Sequence, residues 1–72
     1  MKQSSSVKIK KSKGSAYFGE FVGKEKSGMG IMMSDSGRVY EGYWKNDQKD
    51  GKGYEKYVSG NIYIGQYSMG KP

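Results

Sequence analysis

A spacing of 23 residues governs this chain. Sliding the sequence by that interval superposes Tyr17, Tyr40 and Tyr63, then Gly19, Gly42 and Gly65, then Phe21, Trp44 and Tyr67. Farther along, Gly28 meets Gly51, Gly30 meets Gly53, Gly37 meets Gly60, and Val39 meets Ile62. A fixed period of this length marks a chain built by stacking one supersecondary unit, each too small to bury its own apolar face. Extended backwards, the register sets Gly14 on Gly37 and Ala16 on Val39, so a degenerate half-repeat precedes Tyr17. The chain divides into a basic Ser/Lys-rich tail at 1–16, repeats at 17–39 and 40–62, and an incomplete third repeat at 63–72.

The unit reads as a β-hairpin. In "YFGEF", "YEGYW" and "YIGQY" a ring, a glycine and a ring alternate, so all three share one face of a strand. Glycine weakens a strand, and here its use is to let an aromatic ring lie flat over bare backbone. A polar loop, "KNDQKD" in the second unit, is expected to lead to a glycine pair and a returning strand such as "GYEKY". The stretches "DSGR" and "VSGN" carry turn chemistry. No segment shows the 3.6-residue apolar period of a helix, and the expected fold class is all-β.

Composition narrows the chemistry. A chain of 72 residues holds one small domain and buries only roughly 60% of its surface. Cysteine and histidine are both absent, which excludes disulfides, thiolate metal sites and the usual general base. Absence of cysteine fits a cytoplasmic setting, and neither a membrane-spanning run nor a signal-peptide stretch stands in the sequence. The formal charge of +6 is concentrated in the tail. Lys2, Lys8, Lys10, Lys11 and Lys13 face no acid there, while the repeats are nearly neutral.

The pattern Tyr-x-Gly-x-aromatic, then Gly-x-Gly, then a turn glycine two before the next unit's aliphatic residue resembles the MORN repeat (membrane occupation and recognition nexus). Two features depart from it. The glycine usually found seven residues after the first tyrosine is Lys24 in one unit and Asp47 in the next, and only Gly70 fits. Ile31-Met32-Met33 also stands where the second unit has Tyr54. The resemblance implies tandem hairpins forming one elongated, twisted antiparallel sheet. It also implies a non-catalytic module of the kind found in junctional membrane proteins, plant lipid kinases, a SET-domain methyltransferase and ciliary or cytoskeletal scaffolds.

No motif argues for catalysis. "GQYSMGKP" nearly satisfies a phosphate-loop pattern, but Pro72 replaces the hydroxyl residue. The pairs "GMG" and "GKG" lack the third glycine of a dinucleotide fingerprint. The acids are scattered, Asp47 and Asp50 included, and the serines lack an activating base. No cofactor, metal or small-molecule substrate is expected.

Two regions are candidates for contact. The aromatic stripe is either the fold's own core or a partly open groove, and as a groove it would offer Tyr40, Trp44, Tyr63 and Tyr67 as protein anchors. The tail alternates Val7 and Ile9 with Lys8 and Lys10. It reads as an edge strand with outward lysines, or as a lipid-binding patch of Lys8, Lys10, Lys11 and Lys13; nucleic acid is disfavoured by the neutral repeats. The expected function is an interaction or assembly module binding a protein partner, in a cytoskeletal or ciliary setting. The alternatives are peripheral binding of anionic phospholipid and the front end of a lipid kinase. The strand at 63–67 is expected to leave an edge open to further repeats or to another chain.

Overall fold

The structure, a computed structural model, describes residues 6–72, so Lys2 of the tail lies outside it. Six strands run in sequence: β1 (Ser6–Ser12), β2 (Ser15–Val22), β3 (Glu25–Ser34), β4 (Val39–Lys45), β5 (Gln48–Lys56) and β6 (Ile62–Tyr67). They pair antiparallel in chain order as one open sheet, and no helix is present among the described residues. The all-β expectation holds. The first repeat supplies β2 and β3, the second β4 and β5, and the third β6, while the tail contributes β1 as one edge.

The turns show why the units are so compact. The polar loop expected at "KNDQKD" shrinks to Asn46 and Asp47, and Gln48 already pairs with Lys45. Asn46 and Asp47 both take positive φ, 51° and 66°, as a two-residue hairpin turn with right-handed strand twist requires. Short polar side chains tolerate that conformation, so Asp47 substitutes for glycine. In the first repeat Gly23 carries the positive φ instead, one residue before Lys24. Asp47 also ties the turn down, its Oδ1 accepting the Lys26 amide at 2.7 Å and its own amide donating to the Lys26 carbonyl at 3.1 Å. After β6, Met69 and Gly70 form a third such turn, closed by the Ser68 and Lys71 backbones.

All the core lies on one face. Tyr17, Phe21, Tyr40, Trp44 and Tyr67 are buried there, and Tyr63 packs against them at the end. Taken in spatial order, Phe21, Tyr17, Trp44, Tyr40, Tyr67 and Tyr63 make successive edge-to-face contacts with centroids 5.0–5.4 Å apart. Each such pair contributes about 0.5–1.5 kcal/mol beyond the area it buries. A ladder of rings therefore runs across the strands and welds the hairpins together.

Glycine makes the ladder fit. Gly42 pairs with Gly53 across β4 and β5, and the Tyr40 ring lies over both. A Cβ on Gly42 would stand 2.6 Å from the Gly53 Cα and 2.7 Å from the Tyr40 hydroxyl. Tyr17 covers the paired Gly19 and Gly30 in the same way. The flat-lying ring then reaches a backbone carbonyl. Tyr17, Tyr40 and Tyr63 donate to the carbonyls of Glu20, Tyr43 and Gln66, each at 2.9 Å. Glu20 and Tyr43 are the residues at which the ladders β2–β3 and β4–β5 skip register. The ring hydroxyl thus bonds a carbonyl where a bulge interrupts pairing.

Replacing Gly42 with Ala is expected to cost about 1–3 kcal/mol, because backbone rather than a flexible side chain must yield. In a domain of this size that lowers Tm by on the order of 10 °C, readable by thermal circular dichroism. Replacing exposed Lys11 with Ala leaves Tm unchanged.

Candidate interaction surfaces

On the aromatic face the rings are capped by cations. Lys26 Nζ sits 5.5 Å from the centroids of Tyr17 and Trp44. Lys49 Nζ sits 5.0 Å from Tyr40 and 5.8 Å from Tyr67. The two lysines are one repeat apart, so the cap is part of the unit. Their stems cover ring surface that water would otherwise wet.

One group breaks the repeat. Glu55 is only 1% exposed and stands where the first unit has Met32. Its carboxylate accepts the Tyr67 hydroxyl at 2.6 Å, Lys49 Nζ at 3.1 and 3.2 Å, and Arg38 Nε. Burial pushes the carboxyl up, yet the bonds from Tyr67, Arg38 and Lys49 outweigh it and hold Glu55 below the ordinary glutamate value. The tyrosines move the other way. Burial first, then the Glu55 and Asp50 charges, raises Tyr40 to about 12. Tyr17 is raised by burial and by Glu20, and Tyr67 by burial and by its bond to Glu55.

The structure decides what the aromatic stripe is. Tyr40, Trp44 and Tyr67 are 2%, 6% and 4% exposed, so they are core side chains and offer a partner almost no surface. Tyr63 alone of the four sequence candidates is half-buried, beside the open edge of β6. The described tail lysines, Lys8, Lys10, Lys11 and Lys13, are all exposed, but not together. Lys8 and Lys10 pair with Gly19 and Tyr17 and share the aromatic face, Lys11 lies on the opposite face with Ala16, and Lys13 sits in the turn. Lys8, Lys10 and Lys24 border a cleft of about 310 Å³ against Phe21 and Gly23. Lys24 was marked by the sequence only as a departure from glycine; its place in the cleft depends on the turn.

The larger surface is the other face, which none of the described residues covers. Cross-strand register lines up Ile9, Phe18, Ile31, Glu41, Tyr54 and Ile64 as its central row. On one side run Lys11, Ala16, Met33, Val39, Lys56 and Ile62. On the other, broken by the bulges, stand Val7, Glu20, Met29, Tyr43, Lys52 and Gln66. Ile9, Phe18 and Ile64 remain 65%, 49% and 67% exposed. A depression of about 420 Å³ opens there between Met29, Tyr43, Tyr54 and Ile64, with Glu41 and Lys52 at its margin. That a single-layer sheet leaves one face to be covered follows from the hairpin pattern, but none of the sequence candidates lies in the centre of this face. The signal was Phe18 and Ile64, each between a ring and its glycine, and Ile31 beside Gly30 on the returning strand.

No group of His, Cys, Asp or Glu able to hold a metal ion occurs among the described residues. A single layer of stacked hairpins with rings over glycine pairs defines the protein as a β-hairpin repeat module. The MORN repeat model matches residues 17–37, 40–62 and 63–72, and the chain belongs to the MORN repeat family. That repeat is generally a non-catalytic module. No curated protein sequence matches the chain.

Titration tests the polar part of this face. A carboxyl held low in the fold stabilises above its unfolded value of about 4.3 and loses that contribution as pH falls through the lower folded value. Urea unfolding is therefore expected to show stability dropping in that acid window, and Glu55→Gln to flatten the drop while costing about 1–3 kcal/mol at neutral pH. The raised tyrosines contribute stability below about pH 10 that is lost as pH climbs through the folded values. Tyrosinate absorbance is expected to show Tyr17, Tyr40 and Tyr67 ionising only with alkaline unfolding.

Proposed function

We propose that the chain is a non-catalytic assembly module that binds a protein partner through the sheet face opposite the aromatic ladder. The observation that carries this reading is the uncovered apolar face. Exposed Ile9, Phe18, Met33, Ile62 and Ile64 all stand on this face, linked by half-buried Ile31, Val39 and Tyr54 around the charges of Glu41 and Lys56, and exposed apolar surface of this kind marks association sites. A single-layer sheet fills one face with its own core and leaves the other for something else to cover. The family supplies the class, an interaction module, and a cytoplasmic scaffold of cytoskeletal or ciliary type is the setting we propose. The aromatic positions support the partner indirectly, by holding the face rigid, with Tyr63 and the β6 edge as the place where a further strand adds.

A second reading, peripheral binding of anionic phospholipid, is favoured by the cleft beside Lys8, Lys10 and Lys24. Lysines near a charged membrane contribute about 1 kcal/mol each, so such binding is weak and salt-sensitive.

Two experiments separate the readings. Phe18→Asp and Ile64→Asp are expected to abolish co-sedimentation of the tagged chain with its cellular assembly while leaving the β-sheet circular dichroism intact. Retained co-sedimentation would overturn the face reading. Flotation with phosphatidylserine vesicles tests the alternative: it holds only if binding occurs and falls on deletion of residues 1–13 and on raising salt to physiological strength.

A further inference from the structure

We infer that the occupant of the open face is a second copy of this chain, packed sheet against sheet. The inference rests on the assembly reading above and names its partner. Size permits it. The molecule measures 44 by 26 Å across its two longer directions, a footprint on the order of 1,000 Å², against roughly 800 Å² per partner in a standard interface.

Charge selects the arrangement. Consider a two-fold axis lying in the interface, parallel to the strands and between β3 and β4. It sets β3 over the partner's β4 and β2 over the partner's β5. In the cross-strand register, Phe18 then faces the partner's Tyr54, and Glu20 faces the partner's Lys52. By symmetry each contact occurs twice. Glu20 Oε2 accepts the Met29 amide at 2.9 Å, which positions the carboxylate beside β3 and leaves its other oxygen for the incoming ammonium. Glu41 comes over the partner's Ile31, off the axis and near the lysines of its own β5. The alternative axis, laid along the central row across the strands, would stack Glu41 on the partner's Glu41, and like charges brought together repel. Sheets packed this way sit about 10 Å apart with interdigitated side chains. The apolar rows of this face supply that filling.

Sedimentation velocity on the full chain, over a range of concentrations and at low and physiological salt, tests the inference. A concentration-dependent dimer is expected at physiological salt, where the repulsion between chains of charge +6 is screened. Lys52→Glu is expected to weaken it by about tenfold or more, and Glu20→Lys with Lys52→Glu to restore it. Because Glu20 also bonds the neighbouring β3, Phe18→Asp is the second breaker, expected to give a folded monomer by circular dichroism. A dimer indifferent to Phe18→Asp and Lys52→Glu would overturn the inference and assign association to the β6 edge. A wild-type monomer that binds another protein in a Phe18-dependent way overturns self-docking alone. A wild-type monomer with no Phe18-dependent partner overturns both this inference and the assembly reading.

Discussion

A tyrosine ring pressed onto a pair of facing glycines is the contact on which the rest of this sheet depends. Only glycine lets the ring descend to the backbone, since a Cβ on Gly53 would stand 2.6 Å from the Tyr40 ring. The descent does three things at once. It carries the hydroxyl to a carbonyl at the bulge, turns the ring edge toward its neighbour, and leaves room above for a lysine. Removing the glycine therefore disturbs a hydrogen bond, two aromatic contacts and a cation–π contact together. Small domains without disulfide or metal depend on such coupling, because their buried area alone is marginal.

The same contact explains the asymmetry of the molecule. Rings that lie flat make a thin core, and a thin core covers one face of a sheet. The opposite positions of each strand are then free to be apolar without contributing to the monomer, as Phe18, Ile31 and Ile64 are. Together with Tyr54 they spread across the sheet, broken by Glu41 and Lys56 in the second unit, and give the protein a broad contact surface rather than a pocket. Glu55 adds a different kind of constraint. It replaces an apolar residue of the first unit with a carboxylate that gathers Arg38, Lys49 and Tyr67, so the second unit is fixed by charge as well as by rings. The desolvation of such a buried carboxylate offsets much of its attraction to Arg38 and Lys49, while removing one partner leaves the charge uncompensated.

Much of the fold was legible because it is periodic. The spacing of Tyr17, Tyr40 and Tyr63 with their glycines fixes hairpins, a single sheet and the strand faces, and the family pattern follows from the same residues. Turn lengths were not legible. Asn46 and Asp47 read as part of a long polar loop, and only their positive φ shows that two residues suffice. The buried state of Trp44 and Tyr67 was equally undetermined, since an aromatic stripe looks the same whether it packs on itself or waits for a partner. The capping lysines could have been found, because Lys26 and Lys49 obey the repeat. Glu55 could not, because its burial depends on partners 6, 12 and 17 residues away that no period relates.

Tyr17 and Tyr40 lie face-down on glycine pairs, and the proton resonances of those glycines report that stacking. A ring stacked over a glycine shifts its Hα protons strongly upfield. Such shifts are expected at Gly30 and Gly53, none at the exposed turn glycines Gly14 and Gly37, and loss of the Gly53 shift alone in Tyr40→Leu. Gly53 protons at ordinary positions in the folded wild-type chain would contradict it.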